Sequence, residues 1–442
     1  MNHSSRDATV VSLEPVSQPI QGSITVPGSK SITNRALICA AMAKGSSVLF
    51  GVLESEDTRV MVDAWVALGL SVAWDKVQKT IEITGCEGQP PNPKGLLQIA
   101  NSGTTIRFLT AALAATQGEY LLDGVARMRE RPIGDLLEGL KRLGANVSST
   151  NLERLDCPPV KIVADGLQGG TTEVSGDVSS QFLSGLMMAS PYARAPVIIR
   201  VVGDLVSKPY VDMTVAVMRS FGVRIDAVFG EDGHEYRVVA PTCYVGCNYH
   251  IEPDASAASY FLGAAAITGG TIRIEGLNFQ ALQGDVQFAR VLEKMGCRIS
   301  SGDDYIQLVG RPLRGIDIDM NAISDTVQTL AAVALFAKGP TRVRGVAHNR
   351  HKETDRIGDL ACELRRLGAT VDEHEDGLTI VPGKLVGVDV QTYRDHRMAM
   401  SLSLISLRVP GVRILDPKCT EKTYPDFFED MGKILGQRPK YE

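Results

Sequence analysis

Two kinds of segment alternate along the chain. One kind is nearly all apolar after a polar first turn, rich in Ala, Ser, Leu and Met, at residues 32–43, 104–115, 180–190, 255–267, 326–337 and 397–407. A stretch apolar around most of its circumference predicts a helix buried on all sides, and its small residues let neighbouring helices approach closely. The other kind is amphipathic and ends in an apolar residue plus Gly: Leu68-Gly69, Leu143-Gly144, Phe221-Gly222, Met295-Gly296, Leu367-Gly368 and Leu435-Gly436, 68–78 residues apart. Each carries an Asp near its start (Asp57, Asp135, Asp212, Asp285, Asp355, Asp426). A carboxylate suits a helix N-terminus and Gly suits a left-handed C-terminal cap, so these predict six surface helices.

Strand-like runs punctuate the pattern. One follows each buried helix, as in Thr271–Glu275, and two more follow each of the first five surface helices, such as Thr370 to Glu373 and Leu378 to Val381. The order is strand, buried helix, strand, surface helix, strand pair, a β-α-β-α-β-β unit used six times. Strands in every unit exclude a helical solenoid. Six units form either one closed ring or two globes of three, and 442 residues favour two domains. The crossings are expected near residues 26–29 and 241–250, dividing the chain into 1–27 plus 251–442 and 28–250.

Composition narrows the class. The chain has 22% charged and 44% hydrophobic residues and a net charge of −5, an ordinary globular balance without a global basic field for nucleic acid. The eight cysteines are scattered, and Cys243 and Cys247 have neither CxxC spacing nor a nearby His pair, so no metal site is expected. Residues 1–20 lack the apolar core of a signal peptide, and no stretch approaches the ~20 apolar residues of a membrane helix. A cytoplasmic location is the expectation.

Candidate chemistry sits in the first turns of the buried helices: Gly28-Ser29-Lys30-Ser31 with Arg35, Asn101-Ser102-Gly103-Thr104 with Arg107, Ser179-Ser180-Gln181, Asp254-Ala255-Ser256, Asp325-Thr326 and Asp395-His396-Arg397. Helix N-termini offer unpaired N–H groups and a partial positive charge, a ready anion site. Ordinary capping explains any one of them. Six ends decorated with Lys, Arg, Asn and Gln point further. The loops add Arg127, Arg129 and Arg131, then Arg350, Lys352 and Arg356, then Lys422, more cations than one monoanion needs. P-loop spacing, GxGxxG and GxSxG are absent, so nucleotide kinases, dinucleotide oxidoreductases and α/β-hydrolases lose support. His348 and His351 lie beside Arg and Lys, where repulsion disfavours a metal pair. The residues alone describe a two-domain α/β-repeat enzyme that handles phosphorylated carboxylates.

At these same positions the sequence closely resembles the 5-enolpyruvylshikimate-3-phosphate (EPSP) synthase family, from about Pro19 to Phe428. The blocks occur in family order: PGSKSITNRAL from Pro27, NSGTTIRFLTA from Asn101, RMRERPIGDL from Arg127, SGDVSSQFLSGLMMASP from Ser175, SKPYVDMT from Ser207, DASAASYFLGAAAITGG from Asp254, KETDRI from Lys352, TYRDHRMAM from Thr392 and DPKCTEKTYPDFF from Asp416. The resemblance implies a two-domain inside-out α/β fold, three units per domain, with a cleft between domains that closes over the ligands. It implies transfer of the enolpyruvyl group of phosphoenolpyruvate to the 5-hydroxyl of shikimate 3-phosphate, releasing phosphate through a tetrahedral intermediate, in the shikimate pathway to chorismate and aromatic amino acids. No cofactor is implied, and a monomer is expected.

Carried onto matching positions, Lys30, Ser31, Arg35, Ser179, Ser180, Gln181, Ser207, Tyr210, Asp325, His348 and Lys352 would hold shikimate 3-phosphate. Lys30, Asn101, Gly103, Thr104, Arg131, Gln181, Arg356, Arg397 and Lys422 would hold phosphoenolpyruvate. Asp325 would take the hydroxyl proton, with Glu353 and Lys30 moving protons on the phosphoenolpyruvate side. His348 stands where the family commonly has Asn, and His351 where it has Val; Phe108, Ser102 and Thr105 also depart from the usual residues near Gly103. Glyphosate, an occupant of the phosphoenolpyruvate site in the family, is an expected inhibitor where Gly103 leaves room. The alternatives are a UDP-N-acetylglucosamine enolpyruvyl transferase, disfavoured because the segment from Arg127 to Pro132 holds no reactive Cys, and a catalytically silent anion-binding homologue.

Overall fold

A computed structural model describes residues 9–230 and 233–442, and the expectations for residues 1–8 lie outside the described residues. The chain divides into two compact units, one comprising the described residues up to Pro27 together with Glu252–Glu442, the other Gly28–Ile251.

Twelve α-helices run through the described residues, alternately buried and half-exposed. They are α1 (Lys30–Met42), α2 (Glu56–Ala67), α3 (Gly103–Ala114), α4 (Gly134–Arg142), α5 (Ser180–Ala189), α6 (Lys208–Ser220), α7 (Ala255–Thr268), α8 (Phe288–Lys294), α9 (Val327–Ala334), α10 (Gly358–Arg366), α11 (His396–Ser403) and α12 (Phe427–Leu435). Every residue of α3, α7, α9 and α11 is buried, which in α7 and α9 follows from apolarity on nearly all faces. The six glycines that end the half-exposed helices all have positive φ, from 66° at Gly436 to 119° at Gly296, so the cap signal was physical.

The Asp signal was less uniform. Asp57 and Asp135 do lie in first turns, but α6 begins at Lys208 on Pro209, leaving Asp212 a turn inside. Asp285 belongs to a 3-10 turn, Gly284–Gln287, that precedes the short α8. Asp57 and Asp285 are both buried, so two of the six carboxylates face inward. The fifth and sixth buried segments also differ from single helices: a 3-10 turn, Asn321–Thr326, leads into α9, and another, Leu404–Leu407, continues α11.

Among the described residues, six four-stranded sheets accompany the helices. In the sheet of Lys94–Gln98, Gln117–Asp123, Val160–Asp165 and Asn146–Ser149, the first two strands are parallel, Lys94 opposite Glu119, and the others antiparallel. Buried α3 is the crossover that the parallel pair requires. At the two crossings between units the opening strand is exchanged. Gln21–Ile24, which precedes α1, pairs with Thr271–Glu275, whereas Asn248–His250, which precedes α7, pairs with Ser46–Phe50. Each crossing strand thus stays with the unit that the chain is leaving. The sixth sheet takes Val10–Ser12 and Lys440–Tyr441 from the two ends of the chain. Each unit buries its own apolar core, around Trp65, Leu109 and Phe221 in one and Phe261, Leu330 and Met431 in the other.

Candidate active site

In the unit Gly28–Ile251, four helix N-termini carry the candidate residues. Ser29, Ser102 and Ser179 cap α1, α3 and α5, accepting from Ile32 N, Thr105 N and Gln181 N. Lys30 and Ser31 form the first turn of α1, and Lys30 Nζ lies 3.6 Å from buried Asp57. Ser180 and Gln181 open α5, and Ser180 is buried. Ser207, buried and in the left-handed conformation at φ 54°, turns the chain into α6 and precedes Tyr210 on its first turn. Non-glycine residues hold that conformation only where their surroundings over-determine it.

Two buried arginines tie these ends together. Arg35 donates to Thr214 Oγ1 at 2.6 Å, Ser31 O at 2.8 Å, Tyr210 O at 3.1 Å and Ser184 Oγ at 3.4 Å, joining α1, α5 and α6. Burial pulls its guanidinium down to about 10, which leaves it cationic at neutral pH. With Nε and both terminal nitrogens engaged internally, Arg35 fixes the helix ends that carry Ser31 and Tyr210. Arg107 performs the same service between α3 and α5, donating to Gln181 Oε1 at 2.6 Å and Pro132 O at 3.0 Å. The sequence placed Arg107 near a helix end without giving it a role; its partner is 74 residues away.

The cations of the Arg-rich loop separate. Arg129 is exposed and paired to Asp123 at 2.5 Å, and Arg127 is half-buried and paired to Glu130 at 2.7 Å. Arg131 alone of the three is buried, donating to Asn101 O at 3.1 Å and approaching its Oδ1 at 3.4 Å. Gly103 makes that placement feasible, because a Cβ there would lie 2.5 Å from Arg131 Nη2. Thr104, the next residue, is buried.

In the other unit the candidates condense into one charged cluster. Asp325 accepts from Arg397 Nη2 at 2.7 Å and Arg356 Nη1 at 3.1 Å, and its Oδ1 lies 3.9 Å from Lys352 Nζ. Glu353 accepts from Arg356 Nη2 at 2.8 Å and lies 3.0 Å from Lys422 Nζ. Arg356 is held from below by fully buried Asp395, which accepts from its Nε at 2.7 Å and caps α11 through Arg397 N at 2.8 Å. Burial opposes the Arg356 charge, but Asp395, Glu353 and Asp325 more than offset it, so its proton is held more firmly than usual. Tyr260 Oη, 3.3 Å from Arg397 Nη1, orients that side chain, and burial raises the phenol to about 12. Sequence reading left Asp395 and Tyr260 without roles, since a cap and a core aromatic look alike wherever they stand.

His348 is buried beside this cluster, and burial followed by the Lys352 charge pushes it down to about 3. It is a neutral imidazole at pH 7. Arg350 leaves the cluster: it binds Asp355, Glu373 and the His374 carbonyl, anchoring its loop to Thr370–His374. Among the described residues no group of His, Cys, Asp and Glu is placed to hold a metal ion, and no helix is long and apolar enough to cross a membrane.

Repeated α/β units whose helix ends gather Arg, Lys and carboxylates define a class: enzymes that bind small, multiply charged anions and move protons beside them. A model of the family described as "EPSP synthase (3-phosphoshikimate 1-carboxyvinyltransferase)" matches residues 15–431. The chain is 46% identical over 431 residues to a 3-phosphoshikimate 1-carboxyvinyltransferase of Serratia proteamaculans, covering 96% of this chain and 98% of that one. It is 46% identical over 428 residues to the enzyme of the same name from Escherichia coli, with the same coverage. Its fold matches the EPSP synthase structure from Acinetobacter baumannii with a TM-score of 0.79 and 27% identity, over 98% of this chain and 99% of that one. The chain belongs to the EPSP synthase family, a family of transferases.

Proposed function

We propose that this chain transfers the enolpyruvyl group of phosphoenolpyruvate to the 5-hydroxyl of shikimate 3-phosphate and releases phosphate. The observation that carries the proposal is Asp325, a carboxylate held at 2.7 and 3.1 Å by two arginines and opening onto Lys352. An anionic substrate competes for such cations, and a carboxylate among them is placed to accept a proton.

In this reading Lys30, Ser31, Ser179, Ser180, Gln181, Ser207, Tyr210, His348 and Lys352 recognise shikimate 3-phosphate, with Arg35 holding the helix ends that present Ser31 and Tyr210. Asn101, Gly103, Thr104, Arg131, Arg356, Arg397 and Lys422 serve phosphoenolpyruvate, together with Lys30 and Gln181. The hydroxyl proton passes to Asp325 as the oxygen's electron pair forms the new C–O bond. The methylene carbon receives a proton from the Glu353 and Lys30 side, where the 3.0 Å contact between Glu353 and Lys422 gives the carboxylate a neighbour to exchange with. Loss of a proton from that carbon then expels phosphate and restores the vinyl group. Arg131, Arg356, Arg397 and Lys422 stabilise the phosphate and carboxylate charges throughout. Glyphosate as a competitor for the phosphoenolpyruvate groups, a cytoplasmic location and a monomeric state belong to the same proposal.

The test is to incubate the purified, metal-free protein with both substrates, following phosphate release and the vinyl protons of the product by NMR. Stoichiometric phosphate with a new enolpyruvyl ether is expected; tight binding of both ligands without product would mean a silent homologue. Asp325→Ala should reduce kcat at least about a hundredfold while shikimate 3-phosphate still binds by calorimetry. Turnover equal to that of the parent would refute the base.

A further inference from the structure

One buried carboxylate in the charged unit has no part in the reaction described above. Asp285 is 4% exposed and sits in the 3-10 turn Gly284–Gln287. That turn packs against α7 and against the turn Asn321–Thr326, which carries Asp325. Asp285 Oδ2 accepts a short hydrogen bond from Ser256 Oγ on the first turn of α7. Gln283 fixes the same turn, accepting from Ala255 N at 2.9 Å and donating to Pro253 O at 2.7 Å.

The internal repeat sharpens the meaning of this placement. Asp57 and Asp285 mark the same place in the first and fourth units, and both face the first turn of the preceding buried helix. In the first unit the acid faces the ammonium of Lys30, whereas in the fourth it faces the hydroxyl of Ser256. A carboxylate with an ammonium beside it is largely neutralised; one that faces a hydroxyl in the same place projects more of its charge onto its surroundings. Around Asp285 stand Asp254, which caps α7, the Ser256 hydroxyl on the first turn of α7, Asp325 on the neighbouring turn and Arg397 on α11.

We propose that Asp285 is a positioning residue for Asp325, one whose carboxylate, oriented by Ser256, sets how strongly Asp325 takes a proton from the substrate hydroxyl. Two carboxylates in one low-dielectric pocket titrate as a pair, and an ionised neighbour makes the other a stronger base. Burial and then the Asp325 charge raise Asp285 to about 6, so at pH 7 it is mostly ionised and acts in that direction. Arg397 and Ser256 temper the rise at Asp285. The inference rests on the reading of Asp325 as the base.

The experiment is the pH profile of kcat for Asp285→Asn and Ser256→Ala, with both substrates saturating. Asn is isosteric and can still accept from Ser256, so the geometry survives while the charge is lost. Removal of that charge makes Asp325 a weaker base. kcat at pH 7 should fall about three- to tenfold, and the acid limb should move about half a pH unit or more to lower pH, with KM nearly unchanged. Ser256→Ala, which withdraws the hydrogen bond that favours the Asp285 anion, should move the limb the same way by a smaller amount. A separate stability signature follows. A raised carboxyl contributes stability below the ordinary Asp value that is lost as pH rises through about 6. Asp285→Asn should therefore raise Tm at pH 7 relative to pH 4. An unmoved acid limb in both variants, or losses confined to KM, would overturn the proposal. Those results alongside an inactive Asp325→Ala would leave the base reading intact, whereas an active Asp325→Ala would remove both.

Discussion

At His348, burial and the neighbouring Lys352 ammonium push the imidazole down to about 3, and the residue type that most often signals a neutral-pH switch becomes a fixed neutral donor or acceptor. Its folded value lies below the unfolded one, so the unfolded chain binds the proton more tightly. The resulting loss of stability sets in as pH falls through the ordinary His value toward 3. His348→Asn should shrink the difference in Tm between pH 7 and pH 5. It should leave the limbs of kcat/KM between about pH 5 and 8 in place, since His348 does not titrate there. Gly103 makes a related point: its lack of a side chain matters because Arg131, folded in from a different loop, occupies the space where a Cβ would stand.

At the scale of elements, the segment before α11 is held in an unusual shape. Tyr393 and Arg394 have φ of 54° and 57°, two successive left-handed non-glycine residues, immediately before the Asp395 that grips Arg356. Such conformations cost about 1–3 kcal/mol each and need external support. Buried Glu363 on α10 provides it, accepting from Tyr393 Oη at 2.9 Å, Gln391 N at 3.1 Å and Arg366 Nη1 at 2.5 Å. Glu363→Ala leaves three donors without their acceptor and should cost about 2–4 kcal/mol of unfolding free energy in urea. KM for phosphoenolpyruvate should rise with it, because Arg356 and Arg397 lose their common anchor. Glu363→Gln, which still accepts from Tyr393, should recover part of both losses.

Across the whole molecule, a net charge of −5 conceals a concentration of cations at the helix ends. Lys352, Arg356, Arg397 and Lys422 in one unit face Asp325, Glu353 and Asp395, so the cluster leans positive among the groups that touch it. Attraction of small anions to such a site is long-ranged and screened by salt. Raising ionic strength from about 0.05 to about 0.5 M should raise KM for both substrates several-fold while kcat changes little. A fall in kcat with constant KM would place the salt effect on the chemical step instead.

The alternation of buried and surface helices, the six Gly caps and the motif blocks were legible in the sequence, because periodicity, capping and helix termination depend on residues a few positions apart. Lys30, Asp325, Arg356 and Arg397 were legible as candidates because they stand at helix starts or in charged loops beside them, whereas Glu353 came only with the family resemblance. Only the tertiary structure decided which charges matter together. Asp325 and Asp395 meet Arg356 from 31 and 39 residues away, and of Arg127, Arg129 and Arg131 only the last turns inward. The exchange of opening strands at the two crossings was equally invisible, since a strand pairs with whichever edge the packed unit leaves open rather than with its neighbour in sequence. Local dihedral preferences travel with the chain, but the low-dielectric pocket that makes Asp285 and Asp325 feel each other exists only after distant elements have packed.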